Sequence, residues 1–109
     1  MPQISNAQQV SFYAIASKST ISVGDKIEIA YIIENADFTD LVTPNWSVHL
    51  KFLYGPSRFS NYEVINGKIS SKRTFSYLLK ATKAGKIKIK GATAIINGKS
   101  FKSNDLTIN

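Results

Sequence analysis

The chain contains no cysteine among its 109 residues. That excludes disulfide bonds, thiolate zinc sites and a cysteine nucleophile, and leaves the core to hold the fold alone. It does not decide the compartment, because exported proteins also occur without disulfides. Histidine occurs once, as His49, and no Gly-x-Ser-x-Gly elbow accompanies it, so a serine-hydrolase triad has no frame here. Long hydrophobic runs are missing too. Stretches such as Ala30 to Ile33 are far too short to span a bilayer. No helical apolar pattern lasts beyond one turn, and there is no internal repeat or low-complexity segment.

What is present is strand and turn chemistry. The apolar fraction of 43% and charged fraction of 19% suit a folded domain, and the length suits one domain. Two Asn-Gly pairs, Asn66-Gly67 and Asn97-Gly98, lie between alternating stretches. Both central residues of a type I′ turn need φ > 0, which Asn and Gly tolerate best, so two antiparallel hairpins are predicted.

Gln9 to Ser17 alternates, with Val10, Phe12, Ala14 and Ala16 on one face. Lys26 to Glu34 places Ile27, Ile29, Tyr31 and Ile33 on one face and Ala30 and Ile32 on the other, which predicts a central strand partly covered on both sides. Asn35 to Pro44 has loop composition. Trp46 to Tyr54 alternates, with Trp46, Val48, Leu50, Phe52 and Tyr54 in core phase, until Gly55-Pro56-Ser57 breaks the run. Arg58 to Ile65 reads as a weaker edge strand. Lys68 to Lys80 carries Ile69, Phe75, Tyr77 and Leu79 in one phase, and Ala81 to Gly85 is a turn. Lys86 to Lys90 points Ile87 and Ile89 inward, Gly91 permits a bend, and Ala92 to Ile96 continues to the second turn. The last strand carries Phe101, Leu106 and Ile108. About seven to eight short antiparallel strands predict an all-β, immunoglobulin-like β-sandwich over residues 9–109, with residues 1–8 as a lead-in.

Candidate chemistry is sparse. His49 lies on the polar phase of its strand and points to solvent or a partner strand. Glu34, Asp37 and Asp40 crowd one loop and carry oxygen ligands of the kind calcium takes, but lack EF-hand spacing, so no metal or cofactor is assigned. Net charge is +7 and unevenly placed: residues 64–109 carry ten Lys or Arg and one acid. Lys72 and Lys80 face outward from one strand and Lys86, Lys88 and Lys90 from another that belongs to the opposite sheet. Spread over two faces, they read as solubility and edge protection, not as a nucleic-acid stripe. Among the aromatics, Trp46, Phe52 and Tyr54 read as core, whereas Phe59 and Tyr62 on the edge strand are candidates for exposed contact. The lead-in Ser5-Asn6-Ala7 before Gln8 reads either as a polar start or as the stub of a signal-peptidase site.

Several strings occur in a recognisable order: Gln9-Val10-Ser11-Phe12, Ser22-Val23-Gly24-Asp25, Gly55-Pro56-Ser57 and Val64-Ile65-Asn66-Gly67-Lys68. Phe75-Ser76-Tyr77, Lys83-Ala84-Gly85 and Asn97-Gly98-Lys99-Ser100-Phe101-Lys102-Ser103-Asn104 follow. From about Gln9 to Ile108 the chain resembles the N-terminal immunoglobulin-like domain of the BatD oxygen-tolerance (aerotolerance) proteins of Bacteroidetes and other bacteria. It departs from them at Leu79-Lys80-Ala81, where Leu-Arg-Pro is frequent, and at Ile87, where an aromatic residue is common. The stretch from Trp46 to Leu53 also fits that pattern poorly.

The resemblance implies a non-enzymatic, exported protein of the periplasm or cell envelope, anchored to the membrane by segments outside this chain and linked to oxygen tolerance or stress. It implies other domains of the same protein and membrane proteins with von Willebrand A domains as partners, and under it Ser5-Asn6-Ala7 gains weight as a stub. It carries no catalytic residue over. The Arg58 to Ile65 edge and the Asn35 to Pro44 loop, with Phe59, Tyr62, Asp37 and Asp40, are the expected protein contacts, and no nucleic acid is expected. The alternative is a sandwich that binds envelope glycans or acidic polymers.

Overall fold

The computed structural model describes residues 10–36, 38–46, 49–96 and 98–109. Its elements are β1 (Ser11–Ala16), β2 (Lys26–Glu34), β3 (Phe38–Val42), β4 (Leu50–Ile65), β5 (Lys68–Ala81), β6 (Ile87–Ile89), β7 (Thr93–Ile96), β8 (Lys99–Lys102) and β9 (Leu106–Ile108). One layer is a four-stranded antiparallel sheet ordered β1-β2-β5-β4. The second layer consists of β3-β7-β8 and β6-β9.

The core lies between the layers. Strand β2 sits where its two-sided pattern requires, between β1 and β5. Ile27, Ile29 and Tyr31 are fully buried in one cluster with Leu79, Ile87, Ile89 and Ile108. Phe75 and Tyr77 of β5 face the same way, and Trp46 packs on Tyr77 with ring centroids 5.6 Å apart. A smaller cluster joins Ile33, Ala94 and Ile96.

Strands β6 to β9 of the second layer form one bent hairpin, with β3 added alongside β7. Ile89 pairs with Leu106 and Thr93 with Lys102, so a single register holds on both sides of a break. At the break side chains replace the ladder. Ser103 N–H donates to Ala92 O (2.9 Å), Ala92 N–H to Ser103 Oγ (2.8 Å), and Gly91 N–H to Asp105 Oδ1 (2.8 Å). The single last strand expected from the sequence is thus divided into β8 and β9. The bend falls at Gly91, and Asn104, at its apex, reaches the free edge of β1. Its Oδ1 accepts from Ala14 N–H (2.8 Å) and its Nδ2 donates to Ala14 O (3.1 Å).

Three expectations need correction. The segment from Asn35 to Pro44 is not all loop, because β3 lies within it and pairs with β7. Of the strand expected over Trp46 to Tyr54, Ser47 and Val48 lie outside the described residues; β4 starts at Leu50 and runs on through the cis Gly55-Pro56 bond. It does so with register shifts between Phe52 and Tyr54 and between Tyr54 and Ser57. The first shift inserts Leu53 and turns Tyr54 to the outer face, where it is 59% exposed; Phe52 keeps its phase but is 44% exposed at the sheet edge. Ile69 shares the phase of Phe75 but is 66% exposed, since the hairpin extends past its cover there.

Candidate interaction surface

Strand β4 forms an edge of the four-stranded sheet. Its two halves differ. Leu50 to Ser57 carries Lys51, Pro56 and both irregularities, the devices that blunt an edge against further pairing. Arg58 to Ile65 pairs with β5 in unbroken register and carries neither Pro nor Lys. That open half continues into the first Asn-Gly turn, where Asn66 (φ 53°) and Gly67 (φ 78°) adopt the left-handed conformations a type I′ turn demands.

The pairing of β2 with β5 ends at Glu34 and Lys72, and Asn35 extends it by one step. Held at φ 63°, Asn35 donates its N–H to Ser71 O (2.9 Å) and accepts from Ser71 N–H at Oδ1 (3.1 Å). Beyond this point β4 and β5 run as a two-stranded ribbon with no neighbouring strand among the described residues. Phe59 (60% exposed), Tyr62 (62%), Val64, Ile65 and Ile69 make the ribbon and its approach markedly apolar. Phe59 and Tyr62 point to opposite faces, in line with their cross-strand neighbours Thr74 and Ser71, and Arg73 Nη2 donates to Tyr62 Oη (3.2 Å).

The remaining candidates are scattered. Asp40 lies on β3 in the other layer and is exposed; Asp37 lies outside the described residues. Glu34 ends β2 and lines a groove of about 550 Å³ at the base of the ribbon. Asp40 lines a different groove, with Arg58 and Phe59. Among the described residues no three His, Asp or Glu side chains gather as a metal site. His49 precedes β4 and does not lie on the strand; it is half-buried, and its carbonyl accepts from Thr82 N–H (2.8 Å).

The titration shifts in this sheet belong to tyrosines. Tyr13 Oη donates to Glu34 Oε2 (2.5 Å), and that bond, helped by burial and the carboxylate charge, pushes the phenol up to about 12. Burial raises Tyr31 and Tyr77 as well, the nearby Arg58 charge partly opposing it at Tyr77. A phenol that holds its proton more tightly when folded stabilises the fold in its neutral form. That contribution is complete below the unfolded value of about 10 and is lost as pH rises through the folded value. Thermal midpoints are therefore expected to hold up to about pH 10 and fall steeply above it. Tyr13→Phe removes one part of the fall and leaves that of the two buried rings; a midpoint flat through pH ~11 would contradict the assignment.

On its outer face the sheet has a floor of small side chains, Ala30, Thr74 and Ser76, between Ile15 and Phe59. This shallow trough measures about 470 Å³. Two side-chain sets escaped the sequence reading. The Asn104 clamp was signalled only by polar Ser103-Asn104-Asp105 interrupting an apolar alternation. A row of outward lysines across β2, β5 and β4, described below, depends on pairing register and has no signature along the chain.

Two packed antiparallel layers with an open edge define an all-β sandwich domain. A family model described as the BatD DUF11 like domain matches residues 14–109, and the chain belongs to the BatD family. No curated protein and no solved structure matches the chain.

Proposed function

We propose that this chain is a non-enzymatic protein–protein interaction domain of an exported, membrane-anchored protein linked to oxygen tolerance. It contacts other domains of the same protein and membrane proteins with von Willebrand A domains. Membership of the BatD family supports the setting. The observation that carries the binding role is the open half of β4, whose outward side pairs with no further strand among the described residues and whose ribbon exposes Phe59, Tyr62, Val64, Ile65 and Ile69. Strand addition draws affinity from such main-chain groups and specificity from alternate side chains. An exposed apolar patch rimmed by polar residues is the usual mark of a protein contact.

The test is retention of membrane proteins with von Willebrand A domains from the same organism on immobilised domain. Wild type retains them, and Phe59→Ser/Tyr62→Ser loses retention. The same variant keeps its unfolding free energy within about 0.5 kcal/mol, because both side chains are surface-exposed. Failure of the folded wild-type domain to retain any of them refutes the proposal, and specific glycan-array binding in its place supports the glycan alternative.

A further inference from the structure

Lys26 of β2 is paired directly with Lys80 of β5, and Lys80 is paired directly with Lys51 of β4. Directly opposed residues of antiparallel strands project from the same face. The flanking Ile27 and Leu79 are fully buried on the inner side, so the three exposed lysines stand in one row on the outer side. With strands about 4.8 Å apart, the row spans about 10 Å. Among the described residues none of the three makes an ion pair. Glu28 stands on the same face two residues along from Lys26, and Asp25 is occupied at the preceding turn, where Oδ2 accepts from Ser22 N–H (2.8 Å).

Like charges directly opposite each other destabilise a sheet. Edge protection explains Lys51, which lies on the edge strand. It does not explain Lys80, which has a paired strand on either side and no edge to guard. Solubility does not need three cations in register, in a chain whose other lysines are spread over both layers. The next row on the same face is Glu28, Leu78 and Tyr54, which puts two apolar side chains beside Lys80 and Lys51 and one carboxylate beside Lys26.

We infer that the Lys26–Lys80–Lys51 row is the electrostatic dock for an acidic segment of a protein partner. Two or three closely spaced carboxylates of that segment meet the ammonium groups, and an adjacent apolar residue lies on Tyr54 and Leu78. A flat anionic membrane fits less well, because Glu28, Glu34 and Glu63 share this face. A nucleic-acid strand would require a line of stacking aromatics beside the cations, and Tyr54 is the one aromatic in the two rows described. The inference rests on reading the domain as a protein-binding module and supplies the chemistry of the partner. It fails separately from that reading, since the Phe59/Tyr62 variant leaves the lysine row untouched.

The experiment titrates the domain with a short oligoglutamate peptide at low salt and follows amide shifts by NMR. Shifts are expected to cluster at Lys26, Lys51, Lys80, Tyr54 and Leu78 and to fade as salt screens the charges. The triple variant Lys26→Thr/Lys51→Thr/Lys80→Thr weakens binding by about tenfold, the order expected for three exposed charge contacts. The control Lys86→Thr/Lys88→Thr/Lys90→Thr removes the same charge from the other layer and stays within about twofold. Single Lys80→Thr keeps or raises the melting temperature, so a loss of binding there cannot be ascribed to unfolding. Equal losses in the two triple variants would overturn the inference. So would a stronger response to phosphatidylglycerol vesicles or to a single-stranded oligonucleotide at equal anionic charge.

Discussion

Gly91→Ala is expected to lower the unfolding free energy by about 3–5 kcal/mol, the range of severe overpacking against backbone that cannot yield. A Cβ built on Gly91 would lie 2.0 Å from Ser103 O and 2.9 Å from its carbonyl carbon. That backbone is tied down on both sides. Ser103 N–H and Oγ hold Ala92, and Asp105 holds the Gly91 amide itself, so moving the carbonyl away breaks hydrogen bonds as well as packing. The demand is steric: Gly91 is not among the glycines with positive φ. Gly67 provides the contrast. It sits at φ 78° with nothing within 4 Å of a new Cβ, so Gly67→Ala carries only the left-handed penalty of about 1–2 kcal/mol. Urea unfolding of the two variants side by side separates the causes. A Gly91→Ala loss no larger than that of Gly67→Ala would show that the bend opens freely.

That bend also shows where the sequence stops being informative. Strand β2 was legible because both of its faces carry apolar residues, a pattern one strand displays without reference to its neighbours. The first Asn-Gly turn was legible because the backbone geometry it needs is local. Strand β3 was not: Asp40 and the neighbouring Pro44 argue for a loop, and the ladder that overrides them belongs to β7, more than fifty residues later. Tyr54 was assigned to the core by parity, and one inserted residue at Leu53 reverses parity with no change in composition. Ile69 kept its parity and lost its cover, because the length of the opposite layer is not written in β5. Of the candidate surface, the exposed edge with Phe59 and Tyr62 was readable from weak alternation next to a turn. The lysine row was not, since it exists only once three strands are in register.

Asn104→Ala is the second large effect, expected at about 2–3 kcal/mol, since it strands two backbone groups at once. Ala14 pairs with Tyr31 across β1 and β2, yet both its N–H and C=O are turned outward and satisfied by the Asn104 amide. Alanine supplies neither acceptor nor donor, and Ala14 is 4% exposed, so water restores the two bonds poorly. The loss has a local signature. By the alternation of an antiparallel ladder, Tyr13 and Ile15 direct their amides toward β2. Amide hydrogen exchange should therefore accelerate at Ala14 and remain slow at those two neighbours. Uniform acceleration along β1 would instead mean that Asn104 holds the whole strand in place. Either pattern with a loss near zero would show that the side-chain clamp is dispensable and that core burial alone joins the layers on the β1 side. The clamp also bears on the proposed binding surface. It occupies the edge of β1 at mid-strand, whereas the Arg58 to Ile65 half of β4, at the opposite side of the same sheet, has no such cover among the described residues. The proposed strand addition is thereby left to β4, and Asn104→Ala should leave any binding there unchanged once the lost stability is allowed for.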